Sequence, residues 1–364
     1  MKVILFSTQW PEYMVELANN LSKYTNVTLM MPNNHRFTQE HAKLLDNTVE
    51  LVQYKLVLHK SIRDNFKMIN FILKILWSVK PDILHIQANG HRLFYWVALF
   101  KPWKSKIINT IHDPAKHIGD KTSEKIKDDF VKKKSKYFTK RYIVHGHSLI
   151  PELVNNYHVS KKSVVSIPHG HLEIYKKFIN DSFQTRHKDY VLFFGRIWKY
   201  KGLQYFIDAA NIVLEKFPNQ LFYIVGEGDD LANYIFDQQK MKNFFIDNRR
   251  VTLAEAAVYY ENASFIVLPY VEATQSGIIP VAYAFSKPVV ATRVGAVKEV
   301  VLDNNTGLLV EKENCKELAN AIEKLLLNKK VLKKYSLNAY KFAMVNLSWD
   351  LIAKQTYKTY REVV

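Results

Sequence analysis

A strand–loop–helix–strand unit in residues 264–310 constrains the fold of this chain more than any other stretch. Residues 265–268 form an apolar run with the length and β-branched content of a buried strand, and residues 288–292 form a second one. A polar turn and an apolar segment of helix length lie between them. Units of this kind place the turn at the carboxyl end of the first strand, where parallel sheets bind ligands.

The polar turn, residues 272–277, has the chemistry of a phosphate site. Free backbone N–H groups and the positive end of the helix dipole meet at the start of the helix. Gly277 allows a ligand to approach the backbone closely, and Thr274 and Ser276 supply hydroxyl groups. The local chemistry is equally consistent with a turn that only caps a core helix.

The alternation of strands and helices runs along the whole chain and restarts at Asp189. Strands are predicted at residues 2–7, 26–31, 83–86, 106–110, 142–145 and 164–167, and then at 190–194, 221–225 and 244–247. The length of 364 residues is sufficient for two domains, each with its own core. The pattern therefore predicts two doubly wound parallel sheets.

The net charge of +18 is concentrated in the first half of the chain. The first 175 residues hold 26 of the 52 Lys and Arg residues but only 14 of the 34 Asp and Glu residues. The most basic segment begins at Lys121 and ends at Arg141. This charge could face solvent or bind an anionic membrane surface. Nucleic acid is a third alternative, but no stacking motif or recognition helix accompanies the charge.

A helix predicted at residues 61–80 has an apolar stripe that includes Phe66, with basic residues between the apolar ones. Such a helix can lie on a membrane, although packing of the stripe on the sheet is the more common outcome. No apolar run approaches the ~18 residues of a membrane span, and the apolar start of the chain is too short for a signal peptide. A single cysteine, Cys315, fits a reducing compartment. A cytoplasmic location is predicted, with the inner face of the plasma membrane as a surface for peripheral binding.

Histidines occur at two places of interest. His145, His147, His169 and His171 have a spacing that suggests a metal site, but no Cys or acidic cluster completes a ligand set, so no metal site is predicted. His112 lies just beyond a predicted strand and beside Asp113, where it could be partly charged or held in one tautomer.

Five elements of the second half resemble, in order and spacing, the donor-binding region of family-four retaining glycosyltransferases of the GT-B fold. These are the acidic loop at Glu272, the helix start at Ser276 and Gly277, the strand 288–292, the turn 295–299 and the strand 306–310. The family motif has a second glutamate eight residues after the first, where this chain has Pro280. The Ala-Thr-Gln-Ser-Gly loop therefore looks like that of a variant branch. The first half resembles the family only at strand ends.

The resemblance implies an α/β GT-B fold, in which two doubly wound Rossmann-like domains face each other across a cleft. The expected domains are an acceptor-side domain at residues 1–170 and a nucleotide-sugar domain at residues 171–345. A last helix at residues 346–364 is expected to return to the first domain.

The resemblance also implies roles for individual residues. Four are expected to be catalytic: Arg196 and Lys201 at the diphosphate, Glu272 at the sugar hydroxyls, and His112 at the sugar. Further donor contacts are expected from Gly195, Gly226, Gly228, Asn248, Arg249, Val251, Thr274, Gln275, Ser276, Gly277 and Glu299. Gln9, Trp10, Gln87 and Asn89 are expected on the acceptor side, with a packing role as the alternative for Trp10.

The implied activity is transfer of a hexosyl group, with retention of configuration, from a nucleoside-diphosphate sugar to a glycan or lipid-linked glycan acceptor. Uridine is the preferred nucleobase, and the products would be surface polysaccharides or glycolipids. No cofactor and no metal are expected, since the two cations neutralise the diphosphate. The alternatives are a catalytically silent protein that binds nucleotide sugars and a nucleic-acid-binding protein.

Overall fold

A computed structural model describes residues 1–34, 36–55, 62–87, 97–102, 104–115 and 134–364. Within these residues the strands form two parallel sheets. The strands of the first sheet are β1 (Lys2–Ser7), β2 (Asn26–Pro32), β3 (Val49–Tyr54), β4 (Ile83–Gln87), β5 (Lys106–Thr110), β6 (Thr139–Val144) and β7 (Val164–Ser166). Those of the second are β8 (Tyr190–Phe194), β9 (Phe222–Val225), β10 (Phe244–Asp247), β11 (Ala263–Leu268), β12 (Val289–Thr292) and β13 (Gly307–Val310).

Helices connect most of these strands. Those that precede the second sheet are α1 (Pro11–Leu21), α2 (Gln39–Lys43), α3 (Ile62–Val79) and α4 (Ile150–Tyr157). The helices from β8 onward are α5 (Leu203–Lys216), α6 (Leu253–Asn262), α7 (Ile278–Ala284), α8 (Val297–Val300), α9 (Cys315–Leu327), α10 (Lys329–Asn346) and α11 (Trp349–Arg361). None of the helices in the described ranges is long and apolar enough to cross a bilayer.

Both sheets have the doubly wound strand order. The first is ordered β3-β2-β1-β4-β5-β6-β7 and the second β10-β9-β8-β11-β12-β13. In each sheet the first strand lies in the middle, and later strands are added first on one side of it and then on the other. The order reverses between the parallel neighbours β1 and β4, and between β8 and β11. Ligands bind at the carboxyl ends of the strands near such a reversal. The prediction of two doubly wound parallel sheets is confirmed.

The apolar strand sequences explain the buried sheets. Parallel strands covered by helices on both faces need apolar residues at successive positions, and β4 and β12 are buried along their whole length. On the first sheet, α3 packs through Met68, Ile72 and Leu76. Burying each of these side chains contributes about 1.5–3 kcal/mol.

The predicted stripe on α3 was wrong at one position. Ile69 and Leu73, which also belong to the predicted stripe, pack against the core, but the side chain of Phe66 is 62% exposed. The helix turns by about 100° per residue, and a stripe centred on Ile72 leaves Phe66 on the outer face.

The chain forms two compact units. One contains Met1–Ala115, the described part of Thr122–Gly170, and Trp349–Val364. The other contains His171–Ser348. In the first unit, Trp349 on α11 lies edge-on to Tyr13 with 4.9 Å between ring centroids, and the Tyr360 hydroxyl lies 2.6 Å from His85 Nδ1. The last helix therefore packs as part of the unit that begins the chain.

Candidate functional site

Two glycine turns extend the second sheet beyond the ends of β8 and β9. Ile197 N–H donates to the Glu227 carbonyl at 3.0 Å. A Cβ atom on Gly226 would lie 2.0 Å from the Gly195 carbonyl oxygen, and one on Gly228 would lie 2.1 Å from that of Ile197. Gly226 and Gly228 are therefore required for the two turns to pack on each other. This packing holds the first turn, and with it Arg196 between Gly195 and Ile197, at the edge of the sheet.

Two cations lie at this edge, each beside an aromatic ring. The Arg196 side chain is exposed, and its guanidinium carbon is 4.0 Å from the centre of the Trp198 ring. Lys201 Nζ lies 3.9 Å from the centre of the Tyr270 ring. Cation–π contacts of this kind fix the direction of a long side chain without neutralising its charge. Both groups therefore remain suited to an anionic ligand.

Tyr270 connects the residues predicted to bind the diphosphate. It is buried directly after β11, and its hydroxyl lies 3.0 Å from Ser276 Oγ. Burial raises the pKa of Tyr270, while Ser276 and the charge of Arg196 act in the opposite direction. The phenol stays protonated at neutral pH, with Lys201 over its ring, Ser276 at its hydroxyl and the charge of Arg196 near enough to act on its pKa. The sequence did not single it out.

The turn that follows β12 packs against the backbone of the acidic loop, residues 272–277. Gly295 has a φ of 48°, and a Cβ atom there would lie 1.9 Å from the Ala273 carbonyl oxygen. Ala296 N–H donates to the Thr274 carbonyl at 2.8 Å. Thr274 is buried, whereas Glu272, Gln275 and, on α8, Glu299 are partly exposed. This packing leaves the Glu272 side chain at the surface of the loop.

Gly277 differs from the other glycines of this edge. A Cβ atom there would meet nothing within 4 Å. Its φ of −67° is open to any residue, so neither packing nor backbone strain requires glycine. The space in front of Gly277 fits the prediction that a ligand approaches the backbone there. Pro280 is the third residue of α7, within the first turn where its missing N–H has little effect.

The loop after β10 is held by its own ion pairs. Arg249 makes two contacts to the Glu255 carboxylate, at 2.6 and 3.2 Å, and its Nε lies 2.9 Å from Asp247 Oδ1. The paired guanidinium lowers the pKa of Glu255 to about 2. Asn248 Nδ2–H donates to the Asp229 carbonyl at 3.1 Å, and Val251 is partly exposed. The loop follows β10, which is separated by β9 from β8, the strand that precedes Arg196 and Lys201.

A cluster of three histidines lies at the carboxyl edge of the first sheet. His112 follows β5, His145 follows β6 and His169 follows β7. The ring centroids of His112 and His145 are 4.6 Å apart, and those of His145 and His169 are 5.2 Å apart. The strand order β5-β6-β7 makes these three strand ends neighbours. We call these residues the histidine cluster.

Burial keeps the histidine cluster neutral. Burial is the largest cause of the lowered pKa of each ring. The pKa is lowered well below the usual range for His112, to about 3 for His145 and to about 4 for His169. His145 Nδ1–H donates to the Ile167 carbonyl at 2.9 Å, so its buried Nε2 is an acceptor, and among the described residues this atom has no hydrogen-bond partner. The lowered pKa of His112 favours a neutral ring held in one tautomer over a ring kept partly charged beside Asp113.

Two of the predicted acceptor-side residues, Trp10 and Gln87, contact His112. The Trp10 ring stacks on the His112 ring at 3.9 Å, and Trp10 has a left-handed backbone with φ 55°, which is uncommon for a residue with a side chain. Gln87 is fully buried, and its Oε1 lies 2.9 Å from His112 Nε2. Gln87 therefore positions His112 rather than facing an acceptor itself. Gln9 is exposed, and Asn89 lies outside the described residues.

The described residues contain no group of three or more His, Cys, Asp or Glu side chains placed to hold a metal ion. His112, His145 and His169 of the histidine cluster are therefore not placed to hold a metal ion together.

Two family models match the chain, one for each half. The model described as "Glycosyltransferase Family 4" matches residues 12–171, and the one described as "Glycosyl transferases group 1" matches residues 188–328.

Named relatives are also glycosyltransferases. A D-inositol 3-phosphate glycosyltransferase of Paenarthrobacter aurescens is 22% identical over 82% of this chain and 78% of its own length. An uncharacterized glycosyltransferase of Methanocaldococcus jannaschii is 30% identical over 47% of this chain. The chain spans about half, 48%, of the length of that relative.

Solved structures share the fold. The crystal structure of HepE from Anabaena in complex with UDP has a TM-score of 0.72 and 15% identity, with the alignment covering 100% of both chains. The same protein has been solved with UDP-glucose. At this identity the likeness establishes the two-domain α/β GT-B fold. The family models and the named relatives show that this chain is similar to glycosyltransferases, with the family-4 model matched over residues 12–171.

Proposed function

We propose that the chain transfers a hexosyl group from a nucleoside-diphosphate sugar to a glycan or lipid-linked glycan acceptor, with retention of configuration. The observation that carries this proposal is the convergence of Arg196, Lys201 and Ser276 on Tyr270. These residues come from the ends of β8 and β11, where the strand order reverses and ligands bind. Two cations and hydroxyl donors at one sheet edge suit a diphosphate.

The cations would act on the leaving group. When the bond between the sugar C1 and the diphosphate oxygen breaks, negative charge develops on that oxygen, and Arg196 and Lys201 stabilise it. The acceptor oxygen forms the new bond to C1 on the same face. Its proton passes to the departing diphosphate oxygen, so this mechanism needs no protein base. The Ser276 and Gly277 amides would add donors to the same charge.

Glu272 and His112 are proposed as contacts of the transferred sugar. The Glu272 carboxylate is partly exposed and can accept hydrogen bonds from sugar hydroxyls. The neutral His112 ring, positioned by Gln87 and Trp10, can exchange hydrogen bonds with a hydroxyl without adding charge. Transfer is proposed to need no divalent metal, because the two cations supply the electrostatic stabilisation.

Uridine is proposed as the nucleobase. The complexes of HepE with UDP and UDP-glucose support this choice for a chain of the same fold. In this chain the loop at Asn248 would border the base, and the ion pairs of Arg249 would keep that loop in place.

A cytoplasmic protein that binds the inner face of the plasma membrane is proposed for a lipid-linked acceptor. The basic segment from Lys121 to Arg141 is described only from Lys134 onward, and there Lys134, Lys136 and Lys140 are exposed. Each basic residue near an anionic bilayer contributes about 1 kcal/mol to binding.

The test compares two lysines of one turn. Lys201→Ala should reduce transfer at saturating donor by about 100-fold, the scale for losing one group that stabilises developing charge. Lys199→Ala is the matched control, since Lys199 is an exposed lysine of the same turn. Near-normal turnover of the Lys201 variant, or equal losses in both variants, would refute the role of Lys201.

A catalytically silent protein that binds nucleotide sugars is the second candidate. It is favoured by Pro280, which stands where the family motif has its second glutamate. A panel of nucleotide sugars separates the candidates: both would show thermal stabilisation by one donor, but only an enzyme would release the nucleoside diphosphate when that donor is supplied.

A further inference from the structure

The outer face of α3 combines aromatic and basic side chains. Phe66, Phe71 and Trp77 are 62%, 40% and 50% exposed. Arg63, Lys67 and Lys74 are exposed on the same helix. These positions recur at every turn, at 63, 66–67, 70–71, 74 and 77–78, and therefore form one stripe. Asp64 is the one acidic residue of α3, and it is only partly exposed.

The aromatic surface continues onto the segment 97–102. Val97 and Ala98 are buried in the core that α3 covers, and the next two residues, Leu99 and Phe100, are 45% and 47% exposed. Trp77 Nε1–H donates to the Phe100 carbonyl at 2.9 Å, so Phe100 adjoins the end of the stripe. We call the stripe together with Leu99 and Phe100 the α3 surface.

Positive charge borders the α3 surface on two sides. Near its start, Lys55 and Lys67 line a cavity of about 470 Å³ together with Phe71, Tyr54 and Asp64. Near its end, Lys101 follows Phe100, and its pKa is lowered by burial and then by the nearby charges of Lys106 and Lys140.

We propose that the α3 surface docks the protein on a bilayer that contains anionic lipid, with its aromatic side chains in the interface and its cations at the headgroups. Exposed Trp and Phe beside Lys and Arg are the combination that interfacial helices use. The long lysine and arginine side chains can place their charges at headgroup level while the rings insert more deeply. A protein partner would also cover aromatic rings, but three exposed cations against the single, partly exposed Asp64 complement an anionic surface. The proposal does not rest on the proposed glycosyl transfer, because it concerns neither the donor site nor the histidine cluster.

Binding of the full chain to vesicles tests the proposal without any substrate. Sedimentation is compared for phosphatidylcholine vesicles and for vesicles with about 30% phosphatidylglycerol, at low and at physiological salt. We expect binding only to the anionic vesicles, weakened but not abolished by salt. Equal binding to both compositions, or binding to neither, would overturn the proposal.

Two variants separate the contributions of charge and rings. Arg63→Gln/Lys67→Gln/Lys74→Gln should reduce the partition coefficient at low salt by about 100-fold, since each basic residue near the surface contributes about fivefold. Phe66→Ser/Phe71→Ser/Trp77→Ser should reduce it by about 10-fold and remove the salt-resistant part. All six side chains are exposed, so both variants should keep the far-UV circular dichroism and melting behaviour of the parent.

Matched controls lie in the second unit. Leu327→Ser/Leu337→Ser/Val345→Ser removes three side chains that are 71%, 53% and 67% exposed. Lys330→Gln/Lys333→Gln/Lys334→Gln removes three exposed charges from α10. Both controls should bind as the parent does. If the controls lose binding as strongly as the α3 variants, the attraction is a property of net charge and exposed area, and the proposal fails.

Two further outcomes would overturn it. One is loss of binding on neutralising Lys132, Lys133, Lys134 and Lys136 while both α3 variants bind normally. The other is self-association of the parent that the aromatic variant abolishes, without vesicle binding, since the surface would then dock a second copy. Quenching by brominated lipid adds a depth measurement. Trp77→Phe should bind equally but show less tryptophan quenching, and unchanged quenching would place Trp77 outside the bilayer.

Discussion

Buried neutral histidines should make the stability of the first unit fall steeply in mild acid. His85, His112 and His145 are each almost fully buried. Burial lowers the pKa of His85 and His145 to about 3, and lowers that of His112 well below its usual range. In the unfolded chain these groups titrate near 6.5.

The sign follows from proton binding. Above pH 7 neither state binds a proton at these histidines, and stability does not depend on them. Between about pH 6.5 and pH 4 the unfolded state binds protons that the folded state does not, so the free energy of unfolding falls as the pH falls. Each histidine should contribute a loss of about 2 kcal/mol between pH 7 and pH 5. Three would remove about 6 kcal/mol, which is comparable with the whole stability of many domains.

Urea unfolding at several pH values measures this loss. The slope of the unfolding free energy against pH should approach at least three protons taken up near pH 5, and His169, whose pKa burial lowers to about 4, adds to this uptake. His145→Gln should reduce that slope by about one proton, whatever its effect on stability at pH 7. An exposed histidine is the control, and His158→Gln should leave the slope unchanged. A free energy of unfolding that stays constant from pH 7 to pH 5 would show that the histidines become charged in the folded state, and would refute the reasoning.

Two predictions concern the donor side. Gly277→Ala should raise stability by about 0.4–1 kcal/mol, since its φ suits alanine and the new methyl group meets no atom, yet should weaken donor binding by about 10-fold if the ligand occupies that space. Unchanged affinity by calorimetry would place the ligand elsewhere. Transfer should also survive excess chelator, because Arg196 and Lys201 supply the positive charge. Complete loss on chelation, restored by magnesium or manganese, would contradict the metal-free mechanism.

The sequence predicted most strands because fully buried parallel strands need uninterrupted apolar runs. The runs at β5, β8 and β10 were predicted with the bounds that the structure has. β3 was missed, since it lies at the edge of its sheet and its middle positions are only partly buried. The available signal was a short run with four apolar residues, Val49, Leu51, Val52 and Tyr54, although Leu51 and Val52 interrupt the strict alternation of a half-buried strand.

The site residues that the sequence missed depend on contacts between distant turns. Tyr270 looks like one more aromatic core residue after a strand, and its position among Lys201, Ser276 and Arg196 arises only when β8 and β11 pair. His145 and His169 were noticed for a spacing that suggested a metal. The order β5-β6-β7, which brings their strand ends to His112, is not encoded in any local pattern.

The glycines and the cations at the ends of β8 and β9 are evidence for different things: the glycines for the fold, and the cations for binding of a diphosphate. Gly202, Gly226 and Gly228 each have a backbone oxygen within about 2.1 Å of the position that a Cβ atom would take. A protein of this fold without catalytic activity would still need these glycines, because the turns could not pack without them. Arg196 is different, since its side chain is exposed and lies over the Trp198 ring, a contact that an uncharged side chain could also make. The case for a diphosphate site therefore rests on Arg196 and Lys201, and release of the nucleoside diphosphate from a supplied donor decides between an enzyme and a silent binding protein.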